Sequence, residues 1–463
     1  MEELRIALRD RWLWAIQALA LVLRVVPAVI WPSNDCIRDE CIYRTIAYRI
    51  AEGDGLTTSA KGWLPAPGYP YLLAWSKELT GSMRVVEVLQ VGLSAVSLML
   101  VYLIARRVAT ERTARIAAGL FAIHPTLAFF ATTMWIETVY IFFMLAAIWA
   151  VLWTRGRDDW RGGIAPGVLL GIAILFRGIA TYLPPMYALA LVWPEEGMSE
   201  GVAGFRASIG RRWKHVLVMF LATILTVSPW SLYASPRQGG FLVSDATVGH
   251  VMWLGNNDYP PLTFDYGIGM LTEDLFGKYL RTGRPPCDRT QPPVVSSKCD
   301  VEAAIVWAQQ NPREFVRRIP VRLAQLFNPN TFLTRHIRWG YWPGLPWWLK
   351  ELTVLFIIVS SIATQIFGTI GVWARARGPF AVMAILTVVY TVFASAIMYG
   401  MTRFRLPLEP LWMVYLAWMI AEPRATIAAL RASPGRLAGA VISTVLLTGL
   451  VAWYLPTGFP MFW

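Results

Sequence analysis

Long apolar stretches dominate this chain of 463 residues and constrain its fold more than any motif does. They run roughly over 12–31, 84–105, 113–131, 134–153, 162–176, 179–193, 215–233, 347–373, 379–399, 407–421 and 437–455. A helix needs about 20 predominantly apolar residues to cross about 30 Å of hydrocarbon. Most stretches have that length, while 162–176 and 179–193 fall short. The pattern predicts an all-α polytopic membrane protein of about eleven transmembrane helices, organised as one domain over residues 1–463.

Composition agrees. Only 15% of the residues are charged and 56% are hydrophobic, with a mean hydropathy of +0.47. A soluble domain carries about 25% charged residues, so this chain cannot cover a water-exposed surface of its size. The net charge of +13 would suit nucleic acid if the basic residues lined one face. They fall instead in short clusters between apolar stretches, as topology signals and contacts to membrane lipids do. Nucleic acid is excluded as a partner.

The N-terminus carries Arg5, Arg9, Asp10 and Arg11, and its apolar run continues to Trp31 without a small-residue cleavage site. It reads as a first span with its N-terminus inside, not as a cleaved signal. The inside connections then carry Arg106, Arg107, Arg112 and Arg115, then Arg155, Arg157 and Arg161, then Arg206, Arg211, Arg212 and Lys214. Further on they carry Arg375 and Arg377, and finally Arg424, Arg431 and Arg436. Each is short and basic, as the positive-inside rule requires. Two long extracytoplasmic connections remain, residues 32–83 and 234–346. All the cysteines lie in them, Cys36 and Cys41 in the first, Cys287 and Cys299 in the second. That placement suits an oxidising compartment, with two local disulfides as the simplest pairing.

Within the first connection, Tyr43, Ile46, Ala47 and Ile50 recur at helical spacing between Asp39 and Ala51. They predict an amphipathic helix that ends at Gly53 and lies flat in the headgroup layer. The stretch Gly62–Trp63–Leu64–Pro65–Ala66–Pro67–Gly68–Tyr69–Pro70 predicts turns without regular helix. The second connection predicts turns at Gly255–Asn256–Asn257–Asp258, Pro260–Pro261 and Pro292–Pro293, and one helix at about 300–327.

Ionisable residues gather at the outer ends of the spans. Asp39 and Glu40 open the first outer helix, Glu137 starts the fourth span, Arg177 lies between the fifth and sixth, and Arg403 and Arg405 precede the tenth, with Glu409 just inside it. At membrane depth such groups are costly and usually face a cavity with a function. This set suits sugar transfer from a lipid phosphate. A carboxylate, Asp39 or Glu40, takes the proton of an attacking acceptor, and arginine forks hold the departing phosphate. Each residue has a plainer reading as well. Asp39 can cap its helix, Glu137 can pair with an arginine, Arg405 and Glu409 can neutralise each other at i, i+4, and Arg177 can snorkel to headgroups. Tyr43, Lys61, Tyr69, Asn256 and Asn257 are weaker candidates for substrate contact, the asparagines being equally suited to shaping a turn.

The order Asp39–Glu40–Cys41–Ile42–Tyr43, Ala47, Gly53 and Pro65–Ala66–Pro67–Gly68–Tyr69–Pro70 resembles the first outer loop of GT-C fold glycosyltransferases. The bacterial group related to protein O-mannosyltransferases and the lipid A aminoarabinose transferase is meant. His124–Pro125 with Trp135–Ile136–Glu137, Ser228–Pro229–Trp230 with Gly255–Asn256–Asn257, and Arg403–Phe404–Arg405–Leu406–Pro407–Leu408–Glu409–Pro410 are similar too. The resemblance implies an inverting hexosyl- or pentosyltransferase of the plasma membrane, bacterial and facing outside. It would take a polyprenyl-phosphate-linked sugar as donor, with a protein, lipid or glycan as acceptor. It puts Asp39 at the catalytic acidic position and Glu137 at a position for donor phosphate or a divalent cation. It matches Arg403 and Arg405 to a basic turn of the family without assigning that turn a role. By their placement at the span ends Arg177, Arg403 and Arg405 are candidates, with Glu137, for holding the donor phosphate or a metal. The chain departs from better-known members in lacking their denser Pro-Pro motif after the acidic pair. Rival readings are a transporter or flippase of a lipid-linked sugar and a non-catalytic subunit of an envelope polysaccharide machine. The transporter reading calls for internal repeats or broken mid-membrane helices, and neither is evident in the sequence.

Overall fold

The computed structural model describes residues 2–31, 36, 39–56, 64–194, 201–258, 287–288, 290–338 and 340–458. Described residues form helices and connections, with no strand among them. Seven helices are long and apolar enough to cross a membrane: Arg11–Ile30, Val85–Val108, Glu137–Thr154, Gly201–Ala234, Trp347–Arg375, Gly378–Ile397 and Pro434–Ala452. Three of them, beginning at Arg11, Gly201 and Pro434, are mostly uncovered by protein. Their outward residues, such as Val29, Leu225 and Val445, are apolar, which only a lipid surround tolerates over so large an area. The chain is an integral, multi-pass membrane protein.

The remaining expected spans are helical but not simple. The stretch 113–131 is broken into Glu111–Ile123 and Pro125–Ala131, which meet at 62°. Pro125 has no N–H to continue the ladder and keeps His124 extended. The carbonyls freed at Phe121 and Ala122 accept from the buried Arg24 guanidinium of the first span at 3.4 and 3.1 Å, while His124 Nδ1 accepts from Leu127 N–H at 3.3 Å. Trp160–Phe176, Gly178–Val192 and Glu409–Ala421 fall below the length of a single straight span. Seven or eight spans therefore satisfy length and composition, against about eleven expected. The first of the short helices is sunk into the bundle: a methyl on Gly163, Gly167 or Gly171 would collide with His215, Met219 or Thr226 of the long helix Gly201–Ala234.

At the basic end, Asp10 caps the first span by accepting from Trp12 N–H at 3.0 Å. Its other oxygen accepts from Tyr102 Oη at 2.9 Å and Arg115 Nε at 2.8 Å. The opposite end holds the two long connections. Cys36 is disulfide-bonded to Cys41, and Cys287 to Cys299.

One expectation for the first connection is completed and another needs correction. The helix Asp39–Ala51 forms, and its apolar stripe is covered by protein. Tyr43 and Ala47 pack on Tyr69, Leu73 and Ala74, and Ile46 on Leu64 and Leu242. Protein covers the stripe because a second helix, Gly68–Thr80, lies against it. That helix starts inside the proline-rich segment, whose last residues Gly68–Tyr69–Pro70 form its first turn. Proline is tolerated there because first-turn N–H groups have no partner within the helix. In the second connection the single expected helix is two, Pro293–Gln310 and Pro312–Phe327, divided where Pro312 disfavours a helical Asn311. Shorter helices span Val248–Gly255 and Phe332–Arg338.

Candidate active site

Four charged side chains from four separate segments meet at the end of the bundle that carries the long connections. Asp39 and Glu137 are the first residues of their helices, where the positive end of the macrodipole favours a carboxylate. Arg177 caps the C-terminus of Ile164–Phe176, where a cation is favoured. Arg403 lies in the short helical turn Thr402–Arg405, ahead of Glu409–Ala421. Arg403 Nη1 is 2.6 Å from Asp39 Oδ2, and Arg177 Nη1 is 3.6 Å from Glu137 Oε1.

Aromatic rings wall the cluster. The Arg403 guanidinium lies 5.4 Å from the Trp135 ring centre and 5.5 Å from that of Phe332. Phe404 serves both arginines, at 5.8 Å from Arg403 and 5.6 Å from Arg177, and Tyr140 lies 5.3 Å from Arg177. Burial lowers the pKa of Arg403, but the charges of Asp39 and Glu137 more than reverse this and hold it above the usual arginine range. The buried Tyr43 hydroxyl is held above the usual phenol range by burial first, then by Asp39 and Glu137, against Arg403 and Arg177. It therefore senses all four charges. A small cavity of about 20 Å³ borders Arg177 and Phe404, lined also by Tyr140, Thr387, Tyr390 and Thr391.

The cluster is incompletely satisfied. Glu137 is fully buried, yet neither of its oxygens has a hydrogen-bond partner. The buried Arg403 Nε, Arg177 Nη1 and Trp135 Nε1 also lack hydrogen-bond partners. Leaving charged groups in this state costs several kcal/mol, and buried polar groups of ordinary structural type are paired.

Most of the other described sequence candidates are held in hydrogen bonds. Arg405 donates to Glu409 Oε1 at 2.8 Å, to the carbonyls of Leu326 and Asn328 at 3.0 Å each, and to Ser361 Oγ at 2.6 Å. Glu40 is buried and accepts from Met134 N–H at 3.3 Å and from Tyr341 Oη at 3.2 Å. Tyr69 donates to Gln90 Oε1 at 2.7 Å, and Gln90 Nε2 donates to the carbonyls of Phe130 and Thr133. Asn256 donates to the carbonyls of Met252 and Ile397 and accepts from Arg322. Asn257 donates to Trp253 and Leu254. Asn256 thus ties the second connection to the end of Gly378–Ile397, while Asn257 caps the last turn of Val248–Gly255. Lys61 lies outside the described residues.

Sequence reasoning missed Trp135, Phe332 and Phe404 as walls and Gln90 and Tyr341 as anchors. Gln90 alone carried a signal, an amide inside an apolar stretch. Among the described residues no group of three or more His, Cys, Asp or Glu gathers to hold a metal. Asp39 and Glu137 each face an arginine, so the set is charge-balanced and fits an anion better than a divalent cation.

The family model of the dolichyl-phosphate-mannose-protein mannosyltransferases matches residues 65–233. That stretch contains Glu137 and Arg177 but neither Asp39 nor Arg403. No curated protein sequence matches the chain significantly. Among solved structures, the oligosaccharyltransferase of Archaeoglobus fulgidus in its apo form is similar at TM-score 0.50 and 14% identity, over 95% of this chain and 55% of that one. The archaeal oligosaccharyltransferase AglB of the same organism, in complex with an inhibitory peptide and a dolichol-phosphate, is similar at 0.50 and 16%, over 94% and 55%. ArnT from Cupriavidus metallidurans, bound to undecaprenyl phosphate, is similar at 0.42 and 15%, over 91% and 78%. The chain thus spans about half the length of the oligosaccharyltransferases it matches. The fold is the helical membrane fold of GT-C type that the sequence led us to expect.

Proposed function

We propose that the chain is an inverting glycosyltransferase that takes a sugar from a polyprenyl-phosphate carrier and gives it to an acceptor at the extracytoplasmic membrane face. One observation carries the reading: Asp39, Glu137, Arg177 and Arg403 converge from four segments while several of their polar atoms stay unpartnered. The unpartnered donors among them, Arg177 Nη1 and Arg403 Nε, suit the phosphate of the donor, a monoanionic diester that becomes a dianion with three terminal oxygens as the sugar leaves. The match of residues 65–233 to the mannosyltransferase family model supports the glycosyltransferase class. Disulfides in both long connections support an oxidising, external compartment.

In this reading the donor phosphate lies between Arg177 and Arg403, whose charges offset the negative charge that grows as the bond from the anomeric carbon to the phosphate oxygen breaks. The electron pair of that bond leaves on the phosphate. The acceptor's oxygen or nitrogen bonds to the opposite face of the same carbon, and Asp39 takes its proton. Asp39 is pre-engaged by Arg403, so a phosphate that draws on Arg403 also releases the base. Glu137 holds Arg177 in place. Arg405, Glu40, Asn256 and Asn257 belong to the scaffold. The protein is one domain, and the described parts of the connections 32–83 and 234–346 contribute Asp39 and Phe332 to the site.

The test is mass spectrometry of lipids that copurify in native-membrane nanodiscs, combined with transfer assays on Asp39→Asn. A polyprenyl phosphate or its glycoside in the wild-type preparation, with loss of transfer in the variant, is expected. Movement of a lipid-linked sugar across liposomes with no new glycosidic bond would instead favour a transporter.

A further inference from the structure

Arg177 sits at a weak point of the backbone. The helix Ile164–Phe176 ends there, and Arg177 is extended (φ −150°, ψ 112°) before the short turn Gly178–Tyr182 begins. Its own N–H donates to Ala173, but helical hydrogen bonding does not fix the direction in which its side chain leaves. The strap 244–247 of the second connection supplies that constraint. Ser244 Oγ donates to the carbonyl of Ile174 at 2.6 Å, three residues before Arg177. Asp245 Oδ2 accepts from Gly178 N–H at 2.9 Å, immediately after it. The other Asp245 oxygen accepts from Thr247 N–H and Oγ1 at 3.1 and 2.9 Å. Ala246 N–H donates to the carbonyl of Leu64 at 3.0 Å, which ties the strap to the first connection.

We propose that Asp245 is a positioning residue for Arg177: by gripping the peptide after it, the carboxylate aims the guanidinium at Glu137 and couples the second long connection to the phosphate site. This rests on the proposed donor-phosphate role of Arg177. Two features argue that the grip is built for the purpose. Position 178 admits only glycine while Asp245 holds its place, since a methyl there would collide with the Asp245 carboxylate and displace it. The carboxylate is also expensive to keep, because burial raises its pKa against the pull of Thr247, Gly178 and the Arg177 charge. A serine or threonine could accept from Gly178 without that cost; a carboxylate adds charge opposite Arg177. The charged groups then alternate from Asp39 through Arg403, Glu137 and Arg177 to Asp245, and both long connections meet the same guanidinium system.

The experiment measures binding of undecaprenyl phosphate to the full chain in nanodiscs, with thermal unfolding in parallel, for Asp245→Ala, Arg177→Ala and the double variant. Asp245→Ala is expected to weaken binding about tenfold, and to add nothing on the Arg177→Ala background, because it acts only through Arg177. Gly178→Ala should give a similar loss and add nothing to Asp245→Ala. Wild-type affinity for Asp245→Ala overturns the inference, as does an equal loss in both backgrounds, which is what a merely structural role predicts. If Arg177→Ala itself binds normally, the donor-phosphate reading falls and takes this inference with it. If only Asp245→Ala binds normally, the inference falls alone. Should Asp245→Ala not fold, Asp245→Asn is judged by the same criteria.

Discussion

Arg403 and Arg405 stand two residues apart in one short turn, and their surroundings are opposite in kind. Arg405 is buried against a buried carboxylate, and its remaining N–H groups donate to two carbonyls and a hydroxyl. It stitches the end of Pro312–Phe327 and the helix Trp347–Arg375 to the start of Glu409–Ala421. Arg403 has a partly exposed carboxylate on one side, aromatic rings around it and an unpartnered Nε. An arginine whose three nitrogens are all engaged is a structural device, because any ligand must first break those bonds, even though the second Glu409 oxygen has no hydrogen-bond partner. A charge caged by ring faces and left short of partners is poised for something else to bind.

The most demanding way to break the comparison is Asp39→Asn. Losing a general base costs about 10²–10⁴-fold in rate, so transfer from a panel of polyprenyl-phosphate sugars in reconstituted membranes should fall by that much while the variant stays folded. Retained transfer removes the functional half of the contrast. Next comes the pair of arginines themselves. Arg405→Gln strands the Glu409 carboxylate and should destabilise the protein by about 3–5 kcal/mol, read as a drop in the thermal midpoint. Arg403→Gln should leave the midpoint nearly unchanged and weaken undecaprenyl phosphate binding about 10–100-fold, as loss of a charged hydrogen-bond donor does. If these two outcomes exchange places, the assignment is reversed.

Smaller effects sharpen the boundary of the scaffold. Tyr341→Phe deletes a hydroxyl that donates to Glu40 and should cost about 1.5–3 kcal/mol in stability with phosphate binding unaffected. Asn256→Ala removes donors to Met252 and Ile397 and should cost about 1–3 kcal/mol, again without an effect on binding. A binding defect in either would move that residue from scaffold to site.

Candidate residues were legible in the sequence; their ranking was not. Asp39, Glu137, Arg177 and Arg403 stood out as ionisable groups at span ends, but so did Glu40 and Arg405. The separation of the two sets depends on partners far along the chain, such as Tyr341 for Glu40 and Leu326 for Arg405. No local pattern announces those partners. The same holds for the helix Asp39–Ala51, whose periodicity marked the buried face correctly but could not say that protein, not lipid, would cover it.

By itself the sequence determined the membrane class and the places where apolar stretches become helices. Hydrocarbon leaves a backbone no other way to satisfy its polar groups, so a local property of about 20 residues settles the matter. It also determined that the cysteines lie in the two long connections. Tertiary structure alone decided where the helices break and shorten, which arginine is saturated and which is left open, and that Asp245 reaches back to the turn after Arg177. Those outcomes are sums of charge, burial and hydrogen bonding over residues distant in the chain, and such sums exist only once the chain has folded.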